Sequence, residues 1–127
     1  MRLIDVDIPG LNRPTALILR GTQDSSGKVS FLEFFESLGP SDQTALASRL
    51  QMVALFGWSW LRSNSRSVGQ GVYELRQPRP LRSFWMRYGE SSIVLLGGLA
   101  KNRGPREQSR AIGRARDLAA LVRLMRS

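Results

Sequence analysis

The stretch Arg82-Ser83-Phe84-Trp85-Met86-Arg87-Tyr88-Gly89-Glu90-Ser91-Ser92-Ile93-Val94-Leu95-Leu96-Gly97-Gly98-Leu99 decides the fold. Its opening alternates: Arg82, Phe84, Met86 and Tyr88 share one face, while Ser83, Trp85 and Arg87 share the other, the period of a β-strand. Gly89-Glu90 makes a turn. In the second strand, Ser92–Leu99, the run Ile93–Leu96 is apolar at every position, which predicts a central strand covered on both faces. So short a connection permits only antiparallel neighbours. Gly97-Gly98 permits a bulge or the close approach of another backbone.

Upstream, Val72–Arg76 reads as a third strand, set off by Gln77-Pro78-Arg79-Pro80. Trp58–Gly71, polar and containing Arg62 and Arg66, reads as irregular. Two helices precede it. Ser30 and Glu33 form an S-x-x-E capping box opening the first, with Phe31, Phe34, Phe35 and Leu38 on one face and Gly39-Pro40 as the stop. Ser41 reads as the cap of a longer helix to about Phe56, with Leu46, Leu50, Val53 and Ala54 as its apolar stripe and Gly57 as its end. Thr15–Arg20 reads as a strand closed by the turn-rich segment Gly21–Lys28. In residues 1–13, Ile4, Val6 and Ile8 alternate with polar positions, giving an extra edge strand or a loose arm. Downstream of Asn102-Arg103-Gly104-Pro105, a last helix runs from Arg106 to about Met125, with Ala115, Leu118, Ala119 and Val122 as its apolar side. The expected fold is α+β and a single domain, residues 1–127: an N-terminal strand and helix hairpin packed on a small antiparallel sheet, with a C-terminal helix.

With 127 residues and 42% hydrophobic composition, the chain is long enough for one core and too short for two. There is no apolar run of transmembrane length, and Asp5 and Asp7 fall where a signal peptide needs apolar residues, so a cytoplasmic protein without membrane association is expected. The chain has no cysteine and no histidine. Disulfides, thiolate metal sites and the commonest general base are thereby excluded, and no metal or cofactor is expected. Nineteen basic residues against ten acidic ones give a charge of +9. Seventeen of the nineteen are Arg, the side chain whose planar fork suits phosphate, which makes nucleic acid the leading partner. An Arg-rich solvated surface is the plain alternative.

Standard catalytic motifs are missing: no phosphate-binding loop, no G-x-G-x-x-G, no Ser-His pair. Any chemistry must run on Arg, Lys, Tyr and Glu. Cleavage of RNA by its own 2′-hydroxyl fits that restriction, since it needs in-line geometry, a base, an acid and cations around the phosphorus. Arg76, Arg82, Arg87 and Tyr88 lie on the expected sheet, with Lys101 and Arg103 just after it. Tyr88, Glu107 and Lys101 are the available proton movers, Lys101 because neighbouring guanidinium groups would lower its pKa. Arg106, Arg110 and Arg114 stack at i, i+4, i+8 into a basic ridge, or form only a solvated face in which Arg114 pairs with Asp117. Trp58, Trp60 and Trp85 can stack on bases, but core packing is the stronger reading, as it is for Tyr73.

From about Thr15 to Val122 the chain resembles the RelE/ParE toxin superfamily, and within it the HigB-type toxins and their phage-derived relatives. Phe34-Phe35-Glu36-Ser37-Leu38 with the Pro-Ser-Asp break is similar to the family's first helix and turn. Gly71-Val72-Tyr73-Glu74-Leu75-Arg76 resembles its "gLyELR" strand. Arg82-Ser83-Phe84-Trp85 sits where the family has an Arg followed by apolar and aromatic residues. Ile93 to Lys101 resembles "ivLLhgFvKK", and Pro105, Glu107, Ala111, Arg114 and Asp117 resemble the "tP..Ei..A..R..d" tail. The resemblance implies a toxin of a type II toxin–antitoxin module that cuts mRNA in the ribosomal A site without metal and is silenced by a cognate antitoxin. It further implies that Arg82 stabilises the scissile phosphate, that Arg76 and Lys101 place the RNA, and that surface cations meet ribosomal RNA. The family's histidine is Gly97 here, its phenylalanine Leu99, and its second lysine Asn102. Those departures favour the alternative of a non-catalytic phage RNA- or protein-binding module; over the other alternative, a gyrase-inhibitor-like toxin-fold protein, the HigB-like strand motifs, Arg82 and the basic last helix favour the nuclease.

Overall fold

The computed structural model describes all residues except 9, 11–14, 79, 101–103 and 126–127. A mixed six-stranded sheet forms the middle layer. Its strands are β1 (Arg2–Asp5), β2 (Ile18–Gln23), β3 (Ser65–Gly69), β4 (Val72–Leu75), β5 (Arg82–Tyr88) and β6 (Ser92–Leu99). The helices are α1 (Ser30–Glu36), α2 (Pro40–Phe56), α3 (Trp58–Ser63) and α4 (Pro105–Met125). The strand order is β1-β2-β6-β5-β4-β3.

The sheet is not the small antiparallel one expected from sequence. β2 pairs with β6 in parallel, Leu19 opposite Ile93 and Gly21 opposite Leu95, while β1–β2 and β3 through β6 pair antiparallel. A parallel pair needs a long crossover, and the helices α1–α3 with the β3–β5 meander supply it. The firm N-terminal strand is shifted toward the C-terminus: it runs through Gly21, Thr22 and Gln23, which the sequence pattern places in a turn. The turn that follows is held by Asp24, whose Oδ1 accepts from Ser26 N, Ser26 Oγ and Lys28 N. These bonds, the Ser26 hydroxyl's first, hold the Asp24 carboxyl below its ordinary pKa.

Two further expectations fail at helix ends. Ser30 is the first residue of α1 rather than its cap; the N-cap is Val29, and no side chain caps the helix. α2 begins at Pro40 with Gly39 as N-cap, ahead of Ser41, because proline at the first helical position surrenders only an N–H that lacks an intrahelical partner anyway. The segment 58–71 is ordered, not irregular. Gly57, at φ 76°, breaks α2 and restarts the chain as α3. β3 then turns into β4 through Gln70 and Gly71, both at positive φ (56° and 74°), the geometry of a tight two-residue hairpin.

Each face of the sheet has its own core. On one face Leu19, Leu75, Trp85, Ile93 and Leu95 pack with Phe31, Leu46, Leu50, Val53 and Leu61 of α1–α3. On the other, Val72, Phe84, Met86, Val94, Leu96 and Leu99 pack with Ala111, Ala115, Ala119 and Val122 of α4. Small residues at four-residue spacing let α4 lie close to the sheet. Its far flank is fastened to the β3–β4 hairpin by Arg116, which donates to Val68 O, and Arg123, which donates to Gln70 O at 2.9 Å. No helix among the described residues is long and apolar enough to cross a membrane.

Gly97 and Gly98 do both things glycines allow here. From Ser83 to Trp85 the ladder advances two residues on β5 but three on β6, Gly98 to Leu95, so β6 carries a bulge, with Gly97 at φ +99°. The extra residue moves Leu99 onto the α4 face. It also turns Gly98 toward α1, where a Cβ would collide with the Phe34 ring and with the carbonyl oxygen of Arg82.

Candidate functional site

The cations singled out from sequence fall into separate places. Arg82 opens β5 on the α4 face, where it forms an ion pair with Glu74, its diagonal neighbour on β4. Glu74 is only 2% exposed and takes a second ion pair, from Arg66 Nε at 2.6 Å, directly opposite it on β3. Burying a carboxylate is costly unless it is paired, and two guanidinium groups compensate this one. The result is a held cluster, Arg66–Glu74–Arg82, carrying one net positive charge. Arg76 is exposed at the same end of the sheet: Leu75 is opposite Ser83, and the Arg76 N–H donates to Asn64 O at 2.7 Å. Leu99 pairs with Arg82, so β6 also ends here. Lys101 and Arg103, expected to join this group, lie outside the described residues.

Tyr88 does not belong with them. It closes the strand that Arg82 opens, six residues away, and at a rise of about 3.3 Å per residue the two are separated by roughly 20 Å, too far to act on one phosphate. Tyr88 packs instead against the α4-side core. Of the expected catalytic residues Arg82, Arg76, Tyr88 and Lys101, Arg82 and Arg76 share an end of the sheet, Tyr88 is at the other, and Lys101 lies outside the described residues. Arg106 and Arg110 are exposed on α4. Arg114 lines a groove with Glu33 and Phe34 of α1.

Arg87 has a different setting again, on the face opposite Arg82. It borders a cleft of about 250 Å³ between α3 and strands β3–β5, lined by Trp58, Arg62, Ser65, Ser67, Tyr73, Trp85 and Arg87. Tyr73 stacks on Trp85 at 4.6 Å between ring centroids and 19° between planes. Trp58 lies 6.3 Å from Trp85. The Arg87 guanidinium sits 4.5 Å from the Trp58 ring centroid, and that of Arg62 sits 5.9 Å from it. Indole N–H groups fix both tryptophans: Trp85 donates to Ser65 Oγ and Trp58 to Glu90 O, each at 2.9 Å. Among the described residues neither Arg62 nor Arg87 is ion-paired with a carboxylate.

Core packing, the stronger reading for the tryptophans and Tyr73, holds for Trp85, which is buried; Trp58, Trp60 and Tyr73 pack against the same core but stay partly exposed, Trp58 and Tyr73 in the cleft. The sequence reading missed Arg66 and Glu74 as a pair and Arg62, Ser65 and Ser67 as lining residues. A signal for Arg62 was present in its position four residues after Trp58, but it carries meaning only once that segment is recognised as helix. No group of three or more metal-ligating side chains lies together among the described residues. No family model matches the chain, and no curated protein shows significant similarity to it.

Proposed function

We propose that this chain is a toxin of the RelE/HigB type that arrests translation by cutting mRNA on the ribosome, using arginine and lysine in place of a metal, and that a cognate antitoxin silences it in the cytoplasm. The observation that carries the proposal is Arg82, held in place by the buried carboxylate of Glu74 with Arg66 across from it and Arg76 at the same sheet end. A guanidinium fixed in advance loses little freedom when it meets a phosphate and is most useful where charge builds up in a transition state. The order of elements, β2, then α1 and α2, then the meander β4–β5–β6, then α4, supports the same reading through the resemblance.

In the proposed reaction the 2′-oxygen attacks the adjacent phosphorus while the 5′-oxygen leaves, giving a 2′,3′-cyclic phosphate and a 5′-hydroxyl. Arg82 would bear the negative charge on the phosphoryl oxygens, with Arg76 and Lys101 holding the strand. Lys101 and Glu107 remain as proton movers, since distance removes Tyr88 from the reaction. That same distance favours a second reading, a toxin-fold protein that blocks its target by binding alone, whether gyrase-inhibitor-like or a phage RNA- or protein-binding module.

Inducible expression of wild type, Arg82→Ala and Arg76→Ala in bacteria, with growth recorded and mRNA 5′ ends mapped, separates the two. Arg76 is exposed and outside the Glu74 ion pairs, so its variant tests the site without disturbing the core. Growth arrest with codon-phased cuts, lost or at least about tenfold reduced in both variants, supports the nuclease. Arrest without cuts selects the binding inhibitor. Soluble, folded wild type that causes no arrest overturns the toxin reading.

A further inference from the structure

We infer that the cleft between α3 and strands β3–β5 is a second binding site, built to take one unpaired nucleotide of single-stranded RNA, with the base against Trp58 and Tyr73 and the phosphate on Arg62 and Arg87. The site lies across the sheet from the Arg82 cluster. Three observations carry it.

The first is composition at the wall. Trp58 and Tyr73 are partly exposed aromatic rings; Trp85 stacks on Tyr73 and two guanidinium groups lie over Trp58, so a base extends a stack of rings and guanidinium planes already formed. The second is charge. Arg62 and Arg87 lean on the Trp58 ring without a carboxylate partner among the described residues, so the positive potential of the cleft is unmet. Arg87 donates its Nε to Gly89 O at 2.8 Å, which anchors the guanidinium at its root while its terminal nitrogens remain for a ligand. The third is size. About 250 Å³ falls just under the roughly 300–1,000 Å³ of sites for drug-sized molecules, which suits a single base with its sugar and not an extended cofactor. Ser65 and Ser67 add hydroxyls on the floor; the Ser65 oxygen is already committed as acceptor to Trp85.

Duplex RNA keeps its bases stacked inside the helix and cannot present one to the cleft. Selectivity for unpaired strands therefore follows from the geometry. An acidic peptide would satisfy the arginines but leave the rings unused.

The test is direct binding of a 5′-labelled uridine hexanucleotide to the full chain, read by anisotropy and by quenching of tryptophan fluorescence. Competitors are duplex RNA, inorganic phosphate and polyglutamate. Arg87→Gln, at an exposed position, and Trp58→Leu are compared with wild type, each checked for folding by circular dichroism. The expected result is quenching by the hexanucleotide, weakening of at least about fivefold in both variants, and a salt slope reduced by about 0.7 in Arg87→Gln, the share of one single-strand phosphate. Unchanged affinity in folded Arg87→Gln and Trp58→Leu overturns the proposal, as does equal competition by polyglutamate or by duplex. The outcome is independent of the nuclease reading: quenching that survives Arg82→Ala supports the cleft even if no mRNA is cut, and cuts abolished by Arg82→Ala stand even if the cleft binds nothing.

Discussion

Glu74 and Arg82 show how a residue's neighbours redefine it. In the sequence, Arg82 is one of seventeen arginines and Glu74 one of ten acidic residues. In the fold, the Glu74 carboxylate is buried to 2% exposure and shared between Arg82, 26% exposed, and Arg66, 48% exposed. Replacing Glu74 by Gln leaves two guanidinium groups side by side with nothing between them. The expected destabilisation is about 2–4 kcal/mol, below the upper range for a broken buried pair because Arg66 can return to water. Arg66→Gln leaves Arg82 in place and, screened by solvent, should cost less than about 1 kcal/mol. Urea midpoints at a common slope measure both; equal losses for the two variants would show that Glu74 is not the centre of the cluster. Arg82 was legible as one of several cations on the expected sheet and was singled out by the resemblance, but its partner was not legible. Cross-strand pairing between β3, β4 and β5 brings together residues 66, 74 and 82, and no local pattern reports that register.

At the scale of elements, the glycines divide into those that geometry requires and those that it tolerates. Gly98 occupies a spot where a side chain would strike both the Phe34 ring and the Arg82 carbonyl oxygen. Phe34 can swing aside, but the backbone carbonyl cannot without breaking the β5–β6 ladder. Gly98→Ala should therefore cost about 2 kcal/mol or more, and trimming Phe34 should not rescue it. Gly113 lies inside α4 with open space where its Cβ would be. Gly113→Ala should stabilise the protein by about 0.5–1 kcal/mol, since alanine loses less backbone freedom in a helix. Thermal melts of the two variants give opposite shifts if this account of the bulge and the helix is right; a stabilised Gly98→Ala would refute it. The strands β5 and β6 and the helix α4 were readable because each carries its own periodicity. α3 and β3 were not, because a six-residue helix and an edge strand of two serines, an arginine, a valine and a glycine have no apolar stripe to announce them.

Across the whole molecule, β6, like β4 and β5, has a neighbour on each side and side chains in the core on each face. Local opening cannot free its amides without separating both layers. Hydrogen exchange should place Val94 and Leu95 among the slowest amides, with Leu3 in β1 and Arg66 and Ser67 in β3 faster by at least about tenfold, because those strands lie at the sheet edges. Edge protection equal to that of β6 would mean that the six strands open as one unit. The same layering sets the geography of function: the sheet separates the Arg66–Glu74–Arg82 cluster, on the α4 face, from the aromatic cleft on the α3 face.

By itself, the sequence determined the strand pair Arg82–Leu99, the long second helix with its stripe, the closing helix, the strong positive charge and the absence of histidine and cysteine. Those follow from composition and from periods of two and 3.6 residues, which are local properties of the chain. Tertiary structure alone decided that β2 runs parallel beside β6, that Glu74 joins Arg66 to Arg82, and that Arg62 and Arg87 both lie against Trp58. Each of those is a meeting of residues distant along the chain or across a sheet, fixed by register and by which face a bulge or a break turns outward, and a one-residue change in register would reverse it.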